Sequence, residues 1–443
     1  MRGPYPLLWV TWPSNMPKMV VTTAAALASL LTSVCRFEHV PYLDDVSFRR
    51  ATLLSSLVNP DNTYSRLRVE RYATNDLRDW DRLPEWNPPI RPVTEVDLDA
   101  LGGAMSGTFD ALELPRREAI TSEADRTLVA LGRVAFSRYP AQLAPELSVA
   151  LSSREAAARY GLWIDPSRGV GGLVRVRMRD GSAALALTCS SCHAAFDGRA
   201  VEDGPPNTSL NLGAAILATD PAATESARSA ALGAWGPGRL DVSTASGTEP
   251  VRIPDLRPVR YLTHLHHDAT LAVRGLSTVA IRLETLIITS YGQVIRPPRL
   301  IALALAAYVD SLAKGLPPMG IAETVSPKGA AIFSLECSSC HSPPSFTGEP
   351  IPVAFVGTDP TLGGSAERGT GMYRVPSLRG CGSRKQLLHD GTVPSLDALF
   401  DPTRPTDDFP SRMHGSGAVP GHLFGLDLSG EDRAALLSYL NAL

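Results

Sequence analysis

Cys189-Ser190-Ser191-Cys192-His193 and Cys337-Ser338-Ser339-Cys340-His341 are two copies of one pentapeptide. The chain has 443 residues, six of them cysteine and nine histidine. At those frequencies chance supplies about 0.002 CxxCH strings per chain, so a pair is no accident. Two thiols one helical turn apart can both reach the vinyl groups on one edge of a porphyrin. The adjacent imidazole then turns under the ring and ligates iron. A structural zinc site needs four donors and gives no reason for a histidine after each second cysteine. A redox dithiol would be a single CxxC set in a βαβ unit. The strings therefore predict two covalently attached haem c groups. Cys189, Cys192, Cys337 and Cys340 would hold them, with His193 and His341 as proximal iron ligands.

The sequence around each string repeats. Gly329-x-x-x-Phe333-x-x-x-Cys337 follows Ser326-Pro327, a good cap and first-turn pair for a helix. Gly329 and Phe333 are four apart and share a face. The chain ends in Ala435-Leu436-x-x-Tyr439-Leu440-x-x-Leu443, with Ser429 and Asp432 at its start. Tyr439 is placed to pack on Phe333. In the first half, Gly132-x-x-x-Phe136 lies in a helix predicted to open near Ser122. Ala304-Leu305-x-x-Tyr308-Val309-x-x-Leu312 matches the C-terminal helix position for position. One difference separates the halves. Phe136 lies far ahead of Cys189, and the intervening segment ends in Leu173–Met178, Asp180-Gly181 and Ala183–Thr188. Alternating apolar and basic residues around Asp-Gly predict a tight hairpin that presents the first haem.

These pieces predict a mainly α, loop-rich fold: two cytochrome c-like helical domains, with a small β-hairpin element in the first. Gly 36 and Pro 37 fit many loops between short helices. The expected divisions are residues 1–35 (signal peptide or lipoprotein signal), 36–121 (N-terminal cap), 122–318 (first haem c domain) and 319–443 (second haem c domain). Residues 20–34 carry no charge and follow Lys18, an apolar run of signal-peptide length that is short for a membrane span. Met16 and Met19 are alternative starts. Cys35 ends the run where a bacterial lipoprotein cysteine would sit, although Val34 occupies a position that normally takes a small residue. Export to the periplasm is expected, with a lipid anchor at Cys35 left open and no transmembrane domain. A hydrophobic content of 44% excludes a disordered tail, and a net charge of −3 argues against nucleic-acid binding by bulk charge.

From Ser122 to Leu443 the chain resembles the di-haem cytochrome c peroxidase superfamily. The resemblance rests on Leu131-Gly-Arg-Val-Ala-Phe136, the paired CxxCH strings and Trp235-Gly-Pro-Gly-Arg239-Leu-Asp241. It also rests on Tyr373-Arg-Val-Pro-Ser-Leu-Arg379 and Leu388-His-Asp-Gly-Thr-Val-Pro-Ser-Leu396. The hairpin and Gly421-His422-x-Phe424-Gly425 look closer to its rubber-oxygenase-like branch. The resemblance implies that the residues on the far side of each iron decide function. No Met lies between 178 and 319, so the first haem's distal candidates are His264, His266 and His267, or nothing. His267 is preferred, with Asp268 beside it placed to orient an imidazole. For the second haem the candidates are Met372, His389, Met413, His414 and His422. The family's distal Met position falls here on Thr403, a departure that favours His422 and bis-His ligation. His389-Asp390-Gly391 reads as a loop-positioning element. Arg239, Arg374 and Arg379 are candidate partners for haem propionates. Trp235 reads as a packed residue or one set between the haems, and Cys381 as a buried thiol.

Three functions follow from the resemblance. The first is a carrier of single electrons between a redox partner protein, or a small donor, and an acceptor. The second is a peroxidase acting at the first haem, with Glu284 or Asp268 as acid/base. The third is a haem oxygenase of an organic substrate. Two strong axial ligands on each iron favour the carrier; an open position favours the enzymes.

Overall fold

The computed structural model describes residues 39–98, 107–219, 227–241, 249–410, 412, 413, 415 and 417–443. The expected leader, Cys35 with its lipid anchor, and His414 lie outside the described residues. The helices that build the sites are, in chain order, α1 (Val46–Ser56), α2 (Thr63–Arg71), α3 (Arg126–Arg138), α4 (Cys189–His193), α5 (Leu276–Ser290), α6 (Arg299–Ser311), α7 (Pro327–Glu336) and α8 (Gly430–Asn441). Among the described residues no helix is long and apolar enough to cross a membrane.

Two helix crossings are built alike. α3 packs on α6 at Gly132, where an added Cβ would lie 1.9 Å from the Ala304 carbonyl oxygen. α7 packs on α8 at Gly329, where it would lie 2.1 Å from the Ala435 carbonyl oxygen. Only glycine lets the backbones approach this closely. The aromatic partners close each joint, Phe136 on Tyr308 and Phe333 on Tyr439, both at 5.3 Å between ring centroids. Ser326 caps α7 through the Gly329 N–H, and Ser429 caps α8 through the Asp432 N–H. α3 starts later than the sequence suggests: its cap is Asp125, which accepts from the Thr127 N–H, rather than Ser122.

The hairpin forms as expected. β1 (Ile90–Pro92), β2 (Gln142–Leu143), β3 (Leu173–Arg177) and β4 (Ala183–Leu187) make one antiparallel sheet in the order β1-β3-β4-β2. Gly181 takes the left-handed conformation at the turn, and Asp180 accepts from the Ser182 N–H. α4, which is the first CSSCH, begins two residues after β4.

The mainly α expectation is overturned. Among the described residues helix makes up 40% and strand 12%, with the strands spread over six small sheets, so the chain is not plainly a helical cytochrome. The reason lies in the connecting segments. Pro and Gly break the 3.6-residue period there, and ladders of two to five residues satisfy the backbone instead.

Residues 40–98 cover the first half. Tyr42, Leu53, Tyr72, Trp80 and Trp86 share an apolar cluster with Leu128, Phe136 and the buried face of α6. Each such side chain contributes about 1.5–3 kcal/mol when fully buried. Glu284 on α5 pins this cover from inside. Its carboxylate accepts from Tyr42 Oη (3.0 Å) and Tyr72 Oη (2.6 Å) and faces Arg299 at 3.5 Å. That occupation makes Glu284 a structural tie, not a group held ready for acid/base work.

Candidate haem sites

The two pentapeptides are held differently and end in the same bond. In the first, Thr188 Oγ1 and Ser191 Oγ both donate to the Gly172 carbonyl, at 2.8 and 3.0 Å. This ties α4 to the base of the hairpin. Cys189 packs against the cluster of the N-terminal cover, and Cys192 against a second cluster that contains Leu147, Leu187 and Trp235. The second string runs on from α7 as a turn, with the His341 N–H bonded to the Cys337 carbonyl at 2.9 Å. All four thiols are unpaired. Burial pushes Cys189, Cys192 and Cys337 up to about 12, so these three stay protonated.

His193 Nδ1 lies 3.0 Å from the Pro254 carbonyl oxygen, and His341 Nδ1 lies 3.1 Å from that of Pro376. A carbonyl only accepts, so each Nδ1 carries the proton and each Nε2 keeps a lone pair for a metal. Burial pulls both imidazoles down to about 4. For His193 the Pro254 carbonyl and Asp255 oppose the shift and Arg282 adds to it; for His341 the neighbouring His422 adds to it. Both rings are therefore neutral at pH 7, the state that ligates.

The sequence reading missed the element behind this match. Arg252-Ile-Pro254-Asp-Leu-Arg257 in the first half is a second copy of Arg374-Val-Pro376-Ser-Leu-Arg379. His267-Asp-Ala-Thr270 lies thirteen residues after Pro254, and His389-Asp-Gly-Thr392 thirteen after Pro376. The backbones agree. His266 and Leu388, one before each histidine, have φ of 65° and 63°, and Ala269 and Gly391 have 55° and 72°. Thr270 and Thr392 donate to Asp268 and Asp390 at 2.5 and 2.9 Å. β5 (His264–Leu265) and β6 (Leu271–Ala272) pair Leu265 with Leu271, as Leu387 pairs with Val393. The copies also clasp each other: the Arg252 N–H bonds to the His389 carbonyl at 3.1 Å, and the Arg374 N–H to the His267 carbonyl at 2.9 Å.

A cavity opens beside the second string. Cys337, Cys340, His341 and His422 line it, with apolar walls that include Phe355, Leu387 and Phe400. His422 is close enough to His341 to depress its protonation. His422 is itself pulled down to about 4, by burial and then Arg404, and its Nδ1 is buried without a partner. It sits at φ 45°, a strained conformation for a side-chain-bearing residue. The His422 N–H bond to Val356 (2.7 Å) and the Arg404 bond to the His422 carbonyl (2.7 Å) hold it there. His389 also lines the cavity, stacked on Tyr373 at 4.3 Å. Met372 and Met413 do not line it.

Arg252, Arg374 and Arg384 line the same cavity. Burial lowers Arg252 to about 9 and Arg374 to about 10, and the charge of Arg384 adds to both shifts. Arg374 Nε is buried without a partner. Buried cations in excess call for anions, and two haem propionates would meet that call. Thiols, one imidazole with a free Nε2, a second imidazole across an apolar cavity and a cationic edge together fit a haem c. They do not fit zinc. Among the described residues no three His, Cys, Asp or Glu side chains converge as a metal-ion site.

The other singled-out residues fall as follows. His267 lines this same cavity, and its Nε2 lies 3.1 Å from the Arg252 carbonyl. His264 Nδ1 meets Thr263 Oγ1 at 3.1 Å. His266 is half-buried against Tyr64 and Arg282. Asp268, expected to orient an imidazole, instead pairs with Arg368 at 3.0 Å. Arg239 donates to the carbonyls of Ala234 and Trp235, Arg379 to that of Pro317. Trp235 is a packed residue of the second cluster. Cys381 is buried, with its Sγ 3.1 Å from the Leu440 carbonyl.

No protein-family model matches the chain, and no curated protein matches it.

Proposed function

We propose that the chain is a di-haem c-type cytochrome that passes single electrons between two covalently attached haems. The observation that carries this reading is the matched pair of proximal imidazoles. Two CSSCH strings in different local structures converge on one arrangement, Nδ1–H on a proline carbonyl with Nε2 left free. A haem bound at each string would supply a one-electron iron couple. The chain's own groups then set its behaviour. The proline carbonyls fix each ring's tautomer and raise its basicity as a ligand. His422 is the candidate second ligand at the second string, and bis-His ligation lowers a potential relative to His/Met. Arg252, Arg374 and Arg384 are the candidates to neutralise propionates. The apolar walls keep water from the ring. The partners expected are a redox protein or a small donor and acceptor, in an exported compartment.

A second reading, peroxide reduction at the first string, is favoured by one contact. Arg282 donates to His266, both are half-buried, and the charge of Arg282 reaches His193. A guanidinium and a neutral imidazole side by side can steady a developing anion and move a proton.

The purified ferric protein decides between them. The carrier predicts a mass gain of two haems, both irons low-spin, and no ready reaction with cyanide or peroxide. His422→Ala should turn one of the two irons high-spin. A high-spin wild-type iron with fast peroxide turnover favours the second reading, and a colourless protein ends both.

A further inference from the structure

His267 was the sequence candidate for an iron ligand, and the structure gives it another occupation. Its Nε2 faces the Arg252 carbonyl at 3.1 Å, so that nitrogen carries a proton and donates. His193 and His341 do the reverse, donating from Nδ1 and leaving Nε2 free. Burial, then Arg252, holds the His267 ring well below the usual histidine range, so it is neutral with its proton on Nε2.

Its backbone carbonyl accepts from the Arg374 N–H at 2.9 Å. The two bonds of His267 therefore join the two proline segments. From the first string the route is His193 Nδ1–H to the Pro254 carbonyl, then back through Ile253 to the Arg252 carbonyl. From there it crosses to the His267 ring, leaves by the His267 carbonyl to Arg374, passes Val375 to the Pro376 carbonyl, and reaches His341 Nδ1. Four hydrogen bonds of 3.0, 3.1, 2.9 and 3.1 Å link otherwise covalent segments. The mirror route breaks: His389, the repeat counterpart of His267, meets Tyr373 Oη at 3.3 Å and not the Arg374 carbonyl.

We propose that His267 is the bridging residue that couples the two proximal imidazoles for electron exchange, and that it does not ligate iron. The inference rests on the di-haem reading. Electrons tunnel more readily along bonds and short hydrogen bonds than across gaps, and this route has no gap beyond those four. In the exchange one electron leaves the ferrous haem at one string and arrives at the ferric haem at the other. His267 keeps its proton throughout, so no acid, base or further reactant is needed.

The test is His267→Phe beside His267→Gln in the full chain. Phe keeps the bulk and loses the donor; the Gln amide can again donate to the Arg252 carbonyl. Haem content, the ferric spin state of each iron, the two reduction potentials and the interhaem exchange rate after flash reduction are read for each. The bridge predicts that both variants keep two haems, the wild-type spin state at each iron and unchanged potentials. Exchange should be slower in Phe, with recovery in Gln. His267→Asn, polar but too short to reach Arg252, should slow exchange as Phe does, and serves if Phe does not fold. An unchanged rate in Phe or Asn overturns the bridge alone. So does a new high-spin iron, which would make His267 a ligand. A wild-type chain without haem overturns the di-haem reading and the bridge with it.

Discussion

The first and second CSSCH strings have the same five residues and almost nothing else in common locally. Ser190 and Ser191 are wholly buried, and α4 is clamped to the hairpin through Gly172. Ser339 is exposed, and the second string is the turn that follows α7. Beyond the string the two regions become alike again, with a glycine crossing, an R-φ-P-x-L-R segment and an H-D turn in each. The pentapeptide dictates which atoms are offered, and the elements around it are interchangeable provided a proline carbonyl meets Nδ1.

The largest test of that equivalence lies in the H-D turns. Asp268 is fully buried and is the ion-pair partner of buried Arg368; Asp390 is half-buried and bonds Thr392. Asp268→Asn strands a buried guanidinium and should cost about 3–4 kcal/mol. Asp390→Asn should cost about 1 kcal/mol. Urea unfolding of both variants measures the gap. Equal losses would mean the first turn is no more deeply anchored than the second.

The glycine crossings come next, and there the halves should agree. A Cβ on Gly132 or Gly329 meets backbone rather than a flexible side chain, so the helices must separate. Gly132→Ala and Gly329→Ala should each cost about 2–3 kcal/mol. A loss at only one position would break the equivalence of the two joints.

These crossings were legible in the sequence because GxxxF and ALxxY each keep helical spacing over one turn and recur in the same order in both halves, and Asp180-Gly181 announced the hairpin as plainly. The R-φ-P-x-L-R repeat escaped notice because Pro254 is 61 residues from His193, whereas Pro376 is 35 from His341. No single register aligns both the strings and the prolines. Sheets such as β5–β6 were invisible for a different reason. A strand of two residues is too short to show a period of two, and only its tertiary pairing defines it. The same limit produced the helical bias of the fold class. For His267 the residue was found but its role was not. Which nitrogen of a histidine is free depends on a carbonyl fifteen residues away, and composition around the residue carries no trace of it.

The smallest effect is also the one that isolates the strings themselves. Ser191 Oγ donates to Gly172 and accepts from the Thr188 N–H at 3.1 Å, both in the interior. Ser191→Ala leaves that N–H buried and unsatisfied, a loss of about 1–2 kcal/mol. The equivalent Ser339 is exposed, with its hydroxyl near only Cys340 Sγ at 3.8 Å. Ser339→Ala should stay within about 0.5 kcal/mol of wild type. Because the substitution is the same at the same place in the same pentapeptide, any difference in unfolding free energy belongs to the surroundings. Should the two variants lose equal stability, the hairpin clamp does not secure the first string, and its tie to Gly172 is incidental to how that haem site is held.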